Sequence, residues 1–345
     1  MNKNYTIKLT LLLPAVILIL FLVNISLGSV HIPLDEIFQV LIGGETSKGS
    51  WTNIITTFRL PKALTAVLVG AGLAVSGLQM QTLFRNPLAG PFVLGISSGA
   101  SLGVALLLLA GVSITSGLAI SGLGNWLVVL AATAGSSLVL VLVVAVSVRV
   151  RDSMTLLIIG LMFGSLTGAI VSILQFFSTG EEIQLYLFWT FGSLGGLNWN
   201  EVYILLALVL AGLFIAVTLV KSLNTLLLSE NYARSMGVNV KKSRLWIIIS
   251  TSLLAGSVTA FCGPIAFIGL AVPHLTRLLV NTSDHKIMIP AVALTGIIVM
   301  LVCDVVAQIP YSDHVLPINA ITSLIGAPVV IWIILRKGTI KHSFS

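Results

Sequence analysis

The 345 residues are 57% hydrophobic and only 8% charged, whereas a soluble domain carries about 25% charged residues to clothe itself in water. That composition excludes a free globular domain and makes lipid the solvent. The formal net charge of +7 does not signal nucleic acid, because Lys and Arg stand in ones and twos between apolar runs and form no basic patch.

A bilayer core takes about 20 mainly apolar residues per helix. The apolar runs place ten spans, at residues 9–28, 60–82, 91–111, 123–147, 153–177, 201–221, 244–261, 264–280, 288–308 and 317–335. The first follows Lys3 and Lys8 in the manner of a secretory leader, but no small-residue cleavage site comes after it, so it reads as retained. Between the seventh and eighth spans, Gly263-Pro264 demands a tight turn joining two short helices; one broken helix is the alternative. With the N-terminus in the cytosol, fifteen of the eighteen basic residues fall inside: Lys3, Lys8, Arg85, Arg149, Arg151, Lys221, Arg234, Lys241, Lys242, Arg244, Arg277, Lys286, Arg336, Lys337 and Lys341. The outside receives Lys48, Arg59 and Lys62 with the acids Asp35, Glu36, Glu45, Glu181, Glu182, Glu201 and Asp313. This is the asymmetry of the positive-inside rule. Both termini are therefore expected in the cytosol, and one transmembrane domain fills 1–345.

The segment Arg59-Leu60-Pro61-Lys62 opens the second span on the outer side, with proline in the first turn where its missing N–H leaves no bond unmade. Its cations read in two ways, as side chains snorkelling to lipid phosphates or as an electrostatic landing site for an acidic partner. A rigid cytoplasmic turn follows at Arg85-Asn86-Pro87-Leu88-Ala89-Gly90-Pro91. Gly95, Gly99 and Gly103, then Gly160, Gly164 and Gly168, recur once per helical turn. These small-xxx-small faces let backbones approach in lipid.

The longest cytoplasmic connection, 222–243, suits a pair of short helices. Asn224 and Ser229 are placed to cap and Gly237 to end the second helix, while Leu226, Leu228, Ala233 and Met236 are expected as apolar knobs left uncovered. Alone, such a loop reads as a connector. Cys262 and Cys303 have neither metal-ligand nor disulfide spacing. His274 is assigned to packing or capping, and no metal site is expected. Asp304 is the one acid deep in a span; it is expected near the outer end, bonding Gln308 or a helix terminus rather than serving a substrate or proton path. His31, His274, His285, His314 and His342 complete no catalytic set. No glycine is followed by lysine, so the chain has no Walker-type phosphate loop.

The run from Arg59 through Gly77, Gln81, Asn86-Pro87-Leu88-Ala89, Leu94-Gly95-Ile96 and Gly99-Ala100 resembles the signature of the FecCD-type permeases, the membrane subunits of type II ABC importers. The match continues through Gly263-Pro264-Ile265-Ala266-Phe267-Ile268-Gly269-Leu270, Val272-Pro273-His274 with Arg277, Leu316-Pro317 and Gly326-Ala327-Pro328. The resemblance implies an all-α polytopic fold of ten transmembrane helices in a bacterial inner (plasma) membrane. It implies two copies around a central path, an ATP-binding subunit beneath each, and a periplasmic or lipid-anchored substrate-binding protein above; the expected lining of that path is small and apolar, with Met80, Met162 and the glycine faces at 95–103 and 160–168 as candidates.

The same resemblance makes 222–243 the coupling segment, with Leu226, Leu228, Ser229, Glu230, Ala233, Arg234, Met236 and Gly237 against the ATPase, and assigns Arg59 and Lys62 to binding-protein docking. The sequence departs from the family at Ser229, where glycine is often found, and at Gln308, where arginine is common. The implied cargo is a ferric siderophore, with vitamin B12 or haem next, its metal already chelated. The chain itself is then no enzyme and needs no cofactor. The alternative, an ion- or proton-coupled secondary transporter, requires intramembrane charges and matched interrupted helices, and the sequence offers one such acid.

Overall fold

The computed structural model describes residues 3–335 except 29, 31, 45, 111–123, 150–152 and 309–314, and without the side chains of 3–11, 124–125, 148, 153 and 333–334. The side chains of Lys3 and Lys8, and Glu45, Arg151, Asp313, Arg336, Lys337, Lys341, His31, His314 and His342 lie outside the described residues. So does the placing of the two termini.

Every expected span is occupied by a helix. In chain order the helices are α1 (Lys3–Ser26), α2 (Leu34–Leu41), α3 (Gly49–Leu83), α4 (Ile96–Ala110), α5 (Gly124–Arg149), α6 (Ser153–Phe177), α7 (Gly180–Phe191), α8 (Trp199–Thr218), α9 (Val220–Leu228), α10 (Glu230–Ser235), α11 (Val240–Cys262), α12 (Ile268–Val280), α13 (His285–Ala307) and α14 (Ile318–Leu335). Among the described residues six are long and apolar enough to cross a bilayer, and four shorter apolar helices, Leu12–Ser26, Ile96–Ala110, Ile268–Val280 and Ile318–Trp332, stand at the remaining expected spans.

Three departures have physical reasons. The span expected at 264–280 is helical only from Ile268, because Gly263 and Phe267 both take positive φ, +74° and +64°. The non-helical stretch between them is held by Ala266 N–H donating to Asn319 Oδ1 at 3.0 Å. The second span begins earlier than expected, at Gly49, and passes through a π-helical stretch at Ile54–Arg59. A twelve-residue helix, α7, stands where no span was placed; it is too short to cross, but a capping box of Thr179 and Glu182 fixes its start.

At the centre is α3, almost wholly buried from Ala63 to Leu83 among α8, α11, α12 and α13. Glycine makes that crowding attainable: a Cβ at Gly77 would sit 1.7 Å from Gly269 O, and one at Gly70 would sit 2.4 Å from Gly296 O. Its buried polar groups are paired, as burial requires. The Gln79 amide donates to Ser250 Oγ at 3.0 Å and accepts from Thr251 at 3.2 Å.

A second unit joins α4, α5 and α6. Cβ atoms at Gly99, Gly103 and Gly160 would meet Gly135 O, Ala131 O and Val93 O at 2.5, 2.0 and 2.1 Å, and Gly95 lies with Gly160 O 3.1 Å from its own Cβ position. These four glycines hold helices together. Gly164 has only Ser98 Oγ, at 3.3 Å, and Gly168 has nothing within 4 Å, so the expected packing stripe fades along α6.

Candidate functional site at each end of the bundle

At one end the chain leaves α8 and folds into α9 and α10. Ser229 joins them with extended backbone, φ −173°, and its hydroxyl accepts the Tyr232 N–H at 2.9 Å. An extended residue needs no glycine, and serine adds a cap. Gly237, at φ +76°, ends α10 while Val238 N–H donates back to Ala233 O at 2.9 Å. Glu230 sits in the first turn of α10, where a negative charge faces the positive end of the helix. It accepts from Arg244 at 2.8 Å and lies 3.7 Å from Arg234, which ties the hook back to α11.

Leu228 and Met236 are exposed, 51% and 50%, and so is Tyr232, which was not among the expected knobs. Leu226 and Ala233 are buried, contrary to expectation. Two residues along a helix turn the side chain by about 200°, so Leu226 and Leu228 cannot share a face. Tyr232 and Met236, four apart, do share one, and Ala233 closes the inner side of α10.

Asn224 does not cap its own helix. Its Nδ2 donates to Asp284 Oδ1 at 2.7 Å, and its Oδ1 accepts the His285 N–H at 2.8 Å and lies 2.8 Å from His285 Nδ1. Asp284 caps α13, and the Lys286 N–H, followed by the Asn224 amide, holds its carboxyl below the usual carboxylate range. On the far side of the ring, His285 Nε2 lies 2.8 Å from Thr82 Oγ1 on α3. Nearby, the His274 ring N–H donates to Pro87 O at 2.7 Å, so this histidine pins the turn that follows α3.

At the opposite end, Arg59 is buried. Its Nη1 donates to Ile25 O at 2.7 Å and Ser26 O at 2.9 Å, and its Nη2 to Val30 O. These carbonyls belong to the last turn of α1 and the chain just beyond it, where a cation is favoured. A Cβ at Gly28 would lie 2.8 Å from Arg59 Nη2, so only glycine leaves room for the guanidinium.

Lys62 Nζ is 3.1 Å from Asp304 Oδ1, while Asn24 Nδ2 and Gln308 Nε2 donate to Oδ2 at 2.7 and 2.9 Å. Asp304 thus bonds Gln308 as expected, but its charge partner is Lys62. Within the fold, then, Arg59 is engaged by backbone carbonyls and Lys62 by Asp304. Beside them a cavity of about 780 Å³ opens between Leu27, Phe58, Phe188, Phe191 and Gly192 to Gly196. Met80 is fully buried in the core and serves packing, whereas Met162 is 59% exposed on α6.

A family model described as the FecCD transport family matches residues 16–336. The hemin transport system permease protein HmuU of Yersinia pestis is 35% identical over 322 residues, which is 93% of this chain and 94% of that protein. The vitamin B12 import system permease protein BtuC of Escherichia coli is 35% identical over 297 residues, 85% of this chain and 88% of that one. A solved structure described as an inward-facing conformation of a metal-chelate type ABC transporter is similar with a TM-score of 0.82 and 30% identity, covering 96% of this chain and 99% of that one. Likeness to PsaBC from Streptococcus pneumoniae, at a TM-score of 0.51 and 18% identity, concerns the fold alone. The family match runs from within the first helix to just past the last, and the relatives align over most of their own lengths: the chain belongs to the FecCD transport family.

Proposed function

We propose that this chain is the permease subunit of a binding-protein-dependent ABC importer. Two copies enclose a path that carries a metal-chelate nutrient into the cytoplasm while a separate subunit hydrolyses ATP. The observation that carries the reading is the α9–α10 hook: a capped, ion-paired pair of short helices that turns Leu228, Tyr232 and Met236 outward. Such knobs are what a groove on an ATPase subunit would grip. Arg85, Lys221, Arg234, Lys241, Lys242 and Lys286 cluster at the hook end and support its cytoplasmic side.

The cargo belongs to the class of ferric siderophores, haem and corrinoids. Similarity to permeases named for hemin and for vitamin B12, and to a metal-chelate transporter, supports that class. A ferric siderophore is put first, and competition between labelled ferric siderophore, haem and cobalamin for uptake by whole cells orders the three.

Replacing Leu228 and Met236 together by aspartate tests the hook. Affinity for the ATP-binding subunit is expected to fall by about tenfold or more, while the melting temperature of the isolated chain stays put, since exposed sites seldom affect stability. Wild-type affinity in the double variant would remove the hook from the interface.

Arg59 and Lys62 shape the receptor-facing rim from within. Arg59→Gln is expected to lower stability by about 2 kcal/mol, since carbonyls buried beneath it lose their donors. Binding-protein affinity should then change equally at low and high salt. A loss that shrinks as salt rises would restore Arg59 as a landing charge.

A further inference from the structure

Helices α3 and α13 run antiparallel and are pinned at three heights. Lys62 pairs with Asp304 at 3.1 Å at one end. The backbones of Gly70 and Gly296 touch in the middle, and Thr82 meets His285 at 2.8 Å at the other end. From Lys62 to Thr82 the rise is about 30 Å at 1.5 Å per residue, the thickness of a hydrocarbon core. Each pin is a different kind of contact, and all three resist sliding. An ion pair with satisfied partners, a backbone contact with no side chain between, and a directional hydrogen bond leave the pair no second register close by.

The hook is hydrogen-bonded to this pair at Asn224. Asn224 of α9 is oriented by giving its NH2 to Asp284, which leaves its oxygen to receive the His285 N–H and the proton on Nδ1. With Nδ1 protonated, a neutral ring leaves Nε2 as an acceptor, and the donor that faces it is the Thr82 hydroxyl, which also lies within 2.9 Å of Leu78 O. His285 is only 1% exposed, so the ring is closed off from the protein surface. The surrounding contacts of Leu223 and Leu226 are apolar. Apolar contacts tolerate slip, whereas a hydrogen bond fails within a few tenths of an ångström or a few tens of degrees.

We propose that α3 and α13 act as one rigid strut between the two faces of the protein, and that Asn224, His285 and Thr82 are the positioning residues engaging the coupling hook with it. The inference rests on the importer reading above. In that setting, movement of the hook by the ATPase is delivered to the strut without loss and reaches the rim where Lys62, Asp304 and Asn24 hold α1. Binding-protein arrival at the rim is read out at the hook by the same route.

The test uses the full chain with its cognate ATP-binding subunit in lipid nanodiscs, with and without the substrate-binding protein. Thr82→Val removes the hydroxyl and keeps the shape, and Thr82→Ser returns it. Valine is expected to cut the stimulation of ATP hydrolysis by the binding protein about fivefold or more, with basal hydrolysis at the wild-type value and a lowered melting temperature, because His285 Nε2 is left buried without its partner. Serine should restore the stimulation. Undiminished stimulation in the valine variant overturns the linkage while the importer reading stands. Equal losses of stimulation and melting temperature in both variants also overturn it, by showing a merely structural role. A wild-type chain that binds no ATP-binding subunit removes the importer reading, and the linkage with it.

Discussion

Gly77→Ala is expected to be among the most damaging single-methyl additions to this protein. The new Cβ would lie 1.7 Å from Gly269 O and 2.4 Å from its carbonyl carbon. The obstacle is backbone, so no rotamer change relieves it. The remaining faces of α3 pack on α8, α11 and α13, which prevents the helix from backing away. Overpacking ordinarily costs about 1–3 kcal/mol and more where the neighbour cannot move. The variant should therefore lose most of its folded yield in membranes. Gly72 on the same helix supplies the control, because its Cβ would meet nothing closer than Leu254 O at 3.5 Å. Gly72→Ala should be recovered at wild-type yield with an unshifted melting temperature. Equal tolerance at both positions would mean that α3 and α12 do not touch as described.

The second large effect is expected at Asp304. It is 2% exposed and is the shared acceptor for Lys62, Asn24 and Gln308. Asp304→Ala would strand a cation and two amides in a low-dielectric setting, at a cost of about 3–5 kcal/mol. Asp304→Asn keeps the shape but leaves Lys62 uncompensated, and should fall between wild type and alanine. The paired change Lys62→Met with Asp304→Leu removes both charges and should recover part of the loss, the share owed to the stranded cation, while the Asn24 and Gln308 amides still lack their acceptor. Thermal unfolding in detergent micelles checks the order. A proton or substrate path through Asp304 would give the opposite pattern, with stability kept in the asparagine variant and transport lost.

Much of the fold could be read directly because lipid imposes a simple rule: a span must be long, apolar and helical to satisfy its own backbone. That is why ten runs of sequence met ten helices. The rule is silent wherever an element is too short to span. Helix α7 was missed although Thr179 and Glu182 stand three apart, the signature of a capping box, and the unwound stretch before Ile268 was hidden inside an apolar run.

The functional ends were legible in part. The two-helix hook around Ser229 followed from capping residues and Gly237, but helical phase decided that Leu226 faces inward and Tyr232 outward. The pairing of Lys62 with Asp304 bridges residues far apart in the chain. Its signal was only that two lone charges at similar depth in lipid seek one another. The partners of Arg59 were beyond reach from sequence, because backbone carbonyls carry no sequence mark.

The importer reading is tested most directly in proteoliposomes holding this chain, its ATP-binding subunit and its substrate-binding protein, with labelled ferric siderophore, haem or cobalamin supplied at the face opposite the hook. Accumulation of one of these that requires ATP on the hook side and ceases when the ATP-binding subunit is omitted is the predicted result. Accumulation that persists without that subunit and follows an imposed proton gradient would contradict it.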